Sequence, residues 1–226
     1  MAHSLFDVMF EDNHLIAVCK KAGVPTQEDE SRDPDLMSAV KTYLKEKYKK
    51  PGNVFLGLLH RLDRPVGGLV LFAKTSKAAS RLSAQFRDRK VKKMYEAWVE
   101  GAMRQGEEKT LFHHLLKDSV KNKVSAFDAP QKNALRSELR YKVVEQKGGN
   151  SRLEITLLTG RSHQIRAQLS AIYHPVVGDI KYGASAPLEN GKAIALFAKS
   201  LSFLHPITKK EMEGSCEPPP SFARRN

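Results

Sequence analysis

Residues 60–68 read HRLDRPVGG, and the apolar run GLVLFA continues the chain through residue 73. A short continuous apolar run bounded by turn residues predicts a buried strand. Asp63 then lies in the loop before that strand, where Arg61 and Arg64 favour its ionised form. An ionised carboxylate in such a loop could act as a nucleophile or a general base. Judged by turn chemistry alone, a purely structural loop is the favoured interpretation, because Asp, Pro and Gly are common turn residues.

The rest of the chain carries more strand than helix signals. Apolar or alternating runs predict strands at 6–10, 15–18, 94–100, 111–116, 138–144, 152–158 and 195–203. Apolar residues at helical spacing predict helices from Asp35, from an N-cap at Ser76, and beyond Ser162. Because the strands are often consecutive, we expect an α+β fold with a mixed, largely antiparallel sheet and flanking helices. No linker is evident, so we expect one domain over 1–226, structured over about 6–220 with a loose tail at 218–226.

Charge narrows the class of partner. The 226 residues contain 38 Lys+Arg against 25 Asp+Glu, a formal charge of +13, which favours polyanions and RNA or DNA first. A membrane surface is a weaker alternative, since no apolar segment approaches spanning length. The helix after Ser76 continues into a basic cluster that we interpret as phosphate-facing, although each member alone suits a solvated face: Lys77, Arg81, Arg87, Arg89, Lys90, Lys92 and Lys93.

The N-terminus and the cysteine spacing contain no recognisable targeting or metal-binding motif. The N-terminus lacks the features of a signal peptide, so we expect a cytoplasmic protein. The two cysteines, Cys19 and Cys216, lie near opposite ends of the chain and form no C-x-x-C pair. Zinc or redox-motif interpretations therefore have little support.

Two further stretches could carry chemistry. Tyr95 follows the basic cluster on a predicted strand and could stack on an RNA base, although a core tyrosine is the more common arrangement. Residues 158–166, LTGRSHQIR, place Arg161 and Arg166 around the start of a predicted helix. This stretch suits an anion site and equally an ordinary helix start capped by Ser162, with both arginines solvated, and the two interpretations stay open.

The order of these motifs resembles the RluA-type pseudouridine synthases, RNA pseudouridine synthases of a short form without an N-terminal S4 domain. The resemblance covers about residues 6–220. It rests on five segments in the expected order: FEDNHLIAVCKKAGVPTQ at 10–27, HRLDRPVGGLVLFAKT at 60–75, KKMYEAWVEG at 92–101, LLTGRSHQIRAQL at 157–169 and HPVVGDIKYG at 174–183.

The resemblance implies a role for each matching residue. Asp63 matches the catalytic aspartate that attacks the uridine, so that the N-glycosidic bond breaks and the uracil is rejoined through C5. Tyr95 matches the tyrosine that stacks on the flipped base and assists proton removal from C5. Arg166 matches the basic residue that pairs with the aspartate, and Arg61 the arginine that fills the space left by the base. We assign RNA contact and base flipping to the basic residues of two motifs: His60, Arg61, Arg64 and Arg161.

The implied protein is an isomerase with a central basic cleft. We expect it to act on structured rRNA or tRNA as a cytoplasmic monomer, with no membrane partner and no cofactor or metal. Target choice would fall to the catalytic domain or to a partner.

Three departures from the family pattern stand out. Val66-Gly67-Gly68 replaces Thr-Ser-Gly, Lys21 replaces a proline, and Phe197 replaces a histidine. The first departure motivates an alternative, a non-catalytic RNA-binding protein on the same fold. A hydrolase of small phosphorylated substrates, with Gly160-Arg161 as its anion site, is a third possibility that suits the overall basic charge less well.

Overall fold

The computed structural model of the protein describes residues 5–223. These form two compact units, one of residues 5–92 and 198–217 and the other of residues 93–197 and 218–223. The chain passes between the units at 92/93 and 197/198, inside strands Lys92–Glu100 and Leu196–Leu204. The expectation of one domain over 1–226 stays a prediction.

The first unit is built on antiparallel strand pairs with two helices. Its elements are β1 (Phe6–Glu11), β2 (Leu15–Lys20), α1 (Leu36–Lys47), β3 (Gly57–Leu58), β4 (Gly67–Ala73), α2 (Ser76–Arg87), most of β10 (Leu196–Leu204) and β11 (Glu211–Ser215). β2 pairs with β1 and β4, β3 with β4, and β11 with β10. All seven residues of β4 are buried, which explains its continuous apolar sequence.

The second unit is an antiparallel sheet with one longer helix. Its elements are most of β5 (Lys92–Glu100), then β6 (Glu108–Asp118), β7 (Lys123–Phe127), β8 (Leu135–Lys147), β9 (Asn150–Leu157), α3 (Gln164–Ala171) and α4 (Pro220–Ala223). The strands lie in the order β5-β9-β8-β6-β7. Trp98 of β5 and Tyr141 of β8 are among its largest fully buried side chains.

The helices of the first unit begin at residues that satisfy their free N–H groups. Asp35 caps α1 by accepting a hydrogen bond from Ser38 N at 3.0 Å. α2 is capped by Thr75, whose Oγ1 accepts from Ala78 N at 3.2 Å. The predicted cap at Ser76 is thus wrong by one residue, because Thr75 holds the extended backbone and Ser76 is already helical.

The predicted α+β class with a largely antiparallel sheet is confirmed. Three strands had no prediction, β3, β7 and β11, and each is five residues or fewer. The loose tail is corrected within the described residues, since 220–223 form α4 and the Phe222 side chain is only 4% exposed. Phe222 makes an edge-on contact with Phe197, their ring centroids 6.1 Å apart. The remainder of the predicted tail, 224–226 with Arg224 and Arg225, lies outside the described residues.

Candidate active site

Asp63 lies in the segment 59–66, here called the Asp63 loop, between β3 and β4 of the first unit. Its two neighbouring carbonyl groups are both held by the opening segment of the chain. Thr26 Oγ1 donates to Leu62 O at 2.8 Å and accepts from Leu62 N at 3.2 Å. Gly23 N donates to Arg64 O at 2.8 Å. The backbone on each side of Asp63 is therefore fixed, while the Asp63 side chain remains partly exposed.

Lys20 lies beside this loop and is buried, with only 1% of the residue exposed. Its Nζ donates to the carbonyl oxygens of Val24 at 2.7 Å, Lys21 at 3.1 Å and Arg64 at 3.2 Å. Burial lowers the pKa of Lys20 to about 7, and the negative charge of Asp63 acts in the opposite direction. Lys20 thus ties the opening segment to the Asp63 loop and adds positive charge near the carboxylate.

The basic residues of the HRLDR motif have different surroundings. His60 Nε2 accepts a hydrogen bond from Leu71 N at 3.0 Å, and its ring stacks on Phe86 with centroids 5.1 Å apart. Arg64 donates to Asp33 Oδ2 at 2.6 Å and to both oxygens of Asp29 at 3.1 Å. These contacts tie His60 and Arg64 to their own unit, and the predicted RNA contacts of both residues stay predictions. Arg61, in contrast, is solvent-exposed.

Of the two positions that depart from Thr-Ser-Gly, Val66 has a packing explanation and Gly67 has none, while Gly68 keeps the glycine of the family pattern. Val66 is 2% exposed, and its N–H closes a turn with Asp63 O at 3.0 Å. Gly68 has φ +123°, and a Cβ built there would lie 2.3 Å from Ala198 O. Only glycine allows so close an approach of two backbones. Residues 66–68 therefore connect the Asp63 loop to β4.

The replacement of proline by Lys21 also has a structural consequence. Lys21 N donates to Leu5 O at 3.1 Å, a hydrogen bond that proline cannot make because it has no N–H group. The side chain of Lys21 is exposed. Lysine at this position lacks the rigid backbone of proline, but it allows a backbone hydrogen bond to the residue just before β1.

In the second unit, Tyr95 lies on β5 opposite Ile155 of β9 and is 9% exposed. Arg166 lies on α3 and is 5% exposed, so it is not the solvated arginine of the alternative interpretation. Its Nε donates to Asp179 Oδ2 at 2.6 Å, and its Nη2 donates to Asp179 Oδ1 at 2.9 Å. This two-point pair fixes the guanidinium plane.

Tyr182 supports the Arg166–Asp179 pair. The guanidinium carbon of Arg166 lies 4.9 Å from the Tyr182 ring centroid, a cation–π geometry. Val124 N donates to the Tyr182 hydroxyl at 2.8 Å, and that hydroxyl lies 2.8 Å from His163 Nδ1. Through its hydroxyl, Tyr182 therefore joins His163, just before α3, to Val124 of β7.

The Thr159-Gly160-Arg161 turn is organised by Gln164 and not by Ser162. Gln164 Oε1 accepts from Thr159 Oγ1 at 2.8 Å and from Arg161 N at 3.0 Å. The N-cap position of α3 is His163, in the left-handed conformation with φ 49° and no side-chain cap. The interpretation of this stretch as a helix start capped by Ser162 is therefore wrong.

The structure brings two of the sequence stretches together in the second unit. A Cβ built at Gly160 would lie 2.8 Å from Lys93 Nζ, so the basic start of β5 adjoins the turn. Arg161 Nε is buried and has no hydrogen-bond partner within residues 5–223. Cationic groups next to a turn suit an anion.

Sequence reasoning missed four supporting residues: Lys20, Thr26, Asp179 and Tyr182. All four lie inside the segments that carry the family resemblance, at 10–27 and 174–183. Their positions were thus visible, but their contacts join residues 13 to 58 positions apart in the chain. The spacing of residues along a sequence does not predict such contacts.

Two features are absent from the described residues. Within residues 5–223, no helix combines the length and the apolar character that a membrane span requires. In that same part of the chain, no group of three or more His, Cys, Asp and Glu side chains is arranged to hold a metal ion.

Comparison with known proteins places the chain among the pseudouridine synthases. The profile of the family described as RNA pseudouridylate synthase matches residues 14–171. The chain is 31% identical to ribosomal large subunit pseudouridine synthase D of Zymomonas mobilis over 94% of its length, covering 69% of that protein. It is 30% identical to tRNA pseudouridine synthase C of Haemophilus influenzae, covering 92% of this chain and 91% of the relative.

The fold agrees with these sequence matches. The structure superposes on the solved structure of human RNA pseudouridylate synthase domain containing 4 with a TM-score of 0.77 and 21% identity, over 98% of this chain and 92% of that one. The chain spans about two thirds of the length of its ribosomal relatives and nearly all of the tRNA relative. A family profile over residues 14–171 and relatives similar over most of their length lead to one conclusion: the chain belongs to the RNA pseudouridylate synthase family.

Proposed function

We propose that the protein isomerises specific uridines in structured RNA, rRNA or tRNA, to pseudouridine, with Asp63 as the nucleophile. The observation that carries this proposal is the way the Asp63 loop is held. The carbonyl groups on both sides of Asp63 are fastened by Thr26, Gly23 and Lys20. A reactive carboxylate must be positioned before the substrate arrives, because positioning lowers the entropic part of the barrier.

The chemistry needs no external reactant. Asp63 attacks the uridine, and the bond between N1 of uracil and C1′ of ribose breaks. The uracil turns, a bond forms between C5 and C1′ while the bond to Asp63 breaks and frees the carboxylate, and the proton on C5 leaves while N1 gains one. Bonds and protons balance within the nucleotide, so the step requires neither an oxidant nor a hydrolytic water.

Tyr95, Arg166 and Arg61 complete the proposed set. Tyr95 stacks on the flipped base and assists removal of the C5 proton, and its near-complete burial restricts the ring to few orientations. Arg166 is the basic residue of the reaction, and its pair with Asp179 sets the direction of the guanidinium. Arg61 is exposed, as a residue that occupies the space of a displaced base must be.

RNA engagement is favoured by the charge of the chain. Flipping a base out of its stack costs a few kcal/mol, which contacts with the phosphate backbone must offset. The formal charge of +13 supplies a long-range attraction. Arg161 and Lys93, next to the turn at Gly160, are candidates for individual phosphate contacts in the second unit.

The test uses rRNA and tRNA transcribed in vitro, which carry no modification. Incubation with the purified protein should convert one or a few uridines to pseudouridine, mapped at single-nucleotide resolution. Asp63→Asn should convert none, while Asp7→Asn, an exposed carboxylate of the same unit, should match wild type. Equal and absent conversion by wild type and Asp63→Asn on every rRNA and tRNA would contradict the proposal. If the biological role persisted in Asp63→Ala, the protein would be the non-catalytic RNA-binding protein of the alternative hypothesis.

A further inference from the structure

Cys19 and Cys216, distant in the sequence, lie together in the first unit. Cys19 is on β2, and Cys216 directly follows β11. Both are free thiols, and each thiol shifts the pKa of the other. No sequence pattern indicates this pair, because 196 residues separate the two cysteines and neither lies in a C-x-x-C motif.

Strand register explains why the thiols meet. Cys19 is directly opposite Asp7 on β1 and Leu69 on β4, and directly opposed residues of antiparallel strands project to the same face of a sheet. On that face the Leu69 side chain lies 3.3 Å from the position that a Cβ would occupy at Gly214. Gly214 is two residues before Cys216. β11 therefore brings Cys216 over the face that carries Cys19.

Backbone contacts hold Cys216 in this position. Its N–H donates to Lys199 O at 3.0 Å, and its Sγ lies 3.8 Å from Ala198 O. Cys216 is 4% exposed, whereas Cys19 is partly exposed. A reagent from solution therefore reaches Cys19 first.

The electrostatics give the two thiols different roles. The neighbouring Cys216 thiol lowers the pKa of Cys19, and Lys20 acts in the same direction, whereas burial and the charge of Asp7 act in the opposite direction. The neighbouring Cys19 group, together with burial, raises the pKa of Cys216. The thiolate is the reactive form of cysteine, so the more exposed thiol is also the better nucleophile.

We propose that Cys19 and Cys216 form a thiol–disulfide exchange site. When the site reacts with a low-molecular-weight disulfide, the two cysteines form a reversible intramolecular disulfide with each other. The Cys19 thiolate attacks one sulfur of the small disulfide and releases one thiol, which leaves a mixed disulfide on Cys19. The Cys216 thiol then loses its proton and attacks Cys19 Sγ, which releases the second thiol. Two cysteine thiols are oxidised and one small disulfide is reduced to two thiols.

The disulfide would fasten the last segment of the first unit to β2. Cys216 is one residue before the chain leaves that unit at 217/218. A cross-link that closes so long a loop restricts the unfolded chain strongly. The oxidised protein should therefore unfold at a higher temperature than the reduced protein. This inference does not depend on the proposed RNA chemistry.

The experiment treats the folded, reduced, full-length protein with oxidised glutathione and maps peptides without reduction. Wild type should lose both thiols, gain a Cys19–Cys216 cross-linked peptide, and return to two thiols with dithiothreitol. Cys216→Ser should stop at a glutathione adduct on Cys19, because the resolving thiol is absent. Cys19→Ser should leave the buried Cys216 unmodified.

Three results would overturn the proposal: a wild-type protein that stops at the mixed disulfide, one that forms disulfide-linked dimers instead, or one whose Cys216 reacts before Cys19. Thermal unfolding provides a second readout on the unmutated chain. The unfolding midpoint should rise on oxidation of wild type and stay unchanged in both serine variants under the same treatment. An unchanged midpoint in a fully cross-linked wild type would contradict the proposed fastening.

Discussion

Lys20 is a buried ionisable residue whose burial has a desolvation cost. Its ammonium group is almost fully buried and bonded to three carbonyl oxygens, two in the opening segment and one beside Asp63. Replacing a charged residue at such a site by an apolar one of similar length removes a desolvation cost. A lysine retained there suggests that its charge or its hydrogen bonds serve the Asp63 loop.

The lowered pKa of Lys20 gives stability a specific pH dependence. Between about pH 7 and 10.5 the unfolded chain holds a proton that the folded protein has released. Stability from this group therefore increases with pH across that window, by up to about 1.4 kcal/mol per pH unit. Denaturation of wild type and Lys20→Met should show this difference, whereas exposed Lys21→Met should follow wild type. Parallel profiles for wild type and Lys20→Met would contradict the assignment.

Asp179 is expected to position Arg166 and to neutralise it. Asp179→Asn removes a buried counter-charge from the Arg166 guanidinium, which should lower the free energy of unfolding by about 3 kcal/mol. The turnover number on RNA should also fall at least tenfold with little change in KM, because orientation and not binding is lost. Asp128→Asn, with a side chain 99% exposed, serves as the control in denaturation and kinetic assays. A variant with normal stability and turnover would show that the pair has no such role.

The proposed catalytic residues could be predicted from sequence motifs, whereas the contacts that support them could not. Asp63, Tyr95 and Arg166 could be singled out because each lies in a short recognisable segment. The engagement of Arg64 by Asp29 and Asp33 could not be foreseen, since it depends on how residues 29–33 fold back over the Asp63 loop. Local sequence identifies reactive groups, and tertiary structure decides their partners.

At the scale of single elements, β4 shows how tightly the loop and the sheet are coupled. Its second residue, Gly68, is opposite Lys20 of β2 and in close contact with the backbone of Ala198. Any side chain at position 68 would push β4 away from one of these neighbours. The Asp63 loop would move with it, because Val66 leads directly into the strand.

Gly68→Ala should therefore be strongly destabilising. The added Cβ would meet backbone atoms of Ala198 at 2.3 to 2.8 Å at a φ of +123°, and we expect a loss of about 3 kcal/mol in unfolding free energy. Gly52→Ala is the matched control, because a Cβ there meets nothing within 4 Å and should change stability by less than about 0.5 kcal/mol. Chemical denaturation of both variants tests this, and equal midpoints would show that β4 can shift without cost.

Element types followed from the sequence wherever the apolar pattern was strong. The buried run of β4 and the helix from Asp35 onward, with Leu36, Val40 and Leu44 on its apolar face, were both predicted. β7 and β11 were missed because short strands with exposed, charged residues lack a clear alternation. The helix expected beyond Ser162 is α3, but capping by Ser162 is wrong because Gln164 organises the turn by contacts that no capping pattern describes.

For the whole molecule, the charge of +13 predicts salt-sensitive RNA binding. Phosphate contacts release counterions, so affinity should fall steeply as salt rises. Lys90 and Lys92, exposed after α2, belong to the predicted phosphate-facing cluster. The double variant Lys90→Gln/Lys92→Gln should weaken binding to all RNAs and make the salt slope shallower by roughly 1 to 2. Filter binding over a salt series measures this.

The control for that prediction removes the same charge elsewhere. Lys209→Gln/Lys210→Gln alters two exposed lysines beside β11 and should reduce affinity only through net charge, with a salt slope close to wild type. If both double variants changed the slope equally, the attraction would come from overall charge, and the cluster would have no special part.

The central claim is that Asp63 initiates isomerisation, and release of the C5 proton measures it most directly. RNA transcribed with tritium at C5 of uridine loses that label to water only when C5 forms its new bond to C1′. Wild type and Asp7→Asn should release tritium with matching kinetics under single-turnover conditions, and Asp63→Asn should release none above background while still binding the RNA. Tritium release by Asp63→Asn at the wild-type rate would contradict the account.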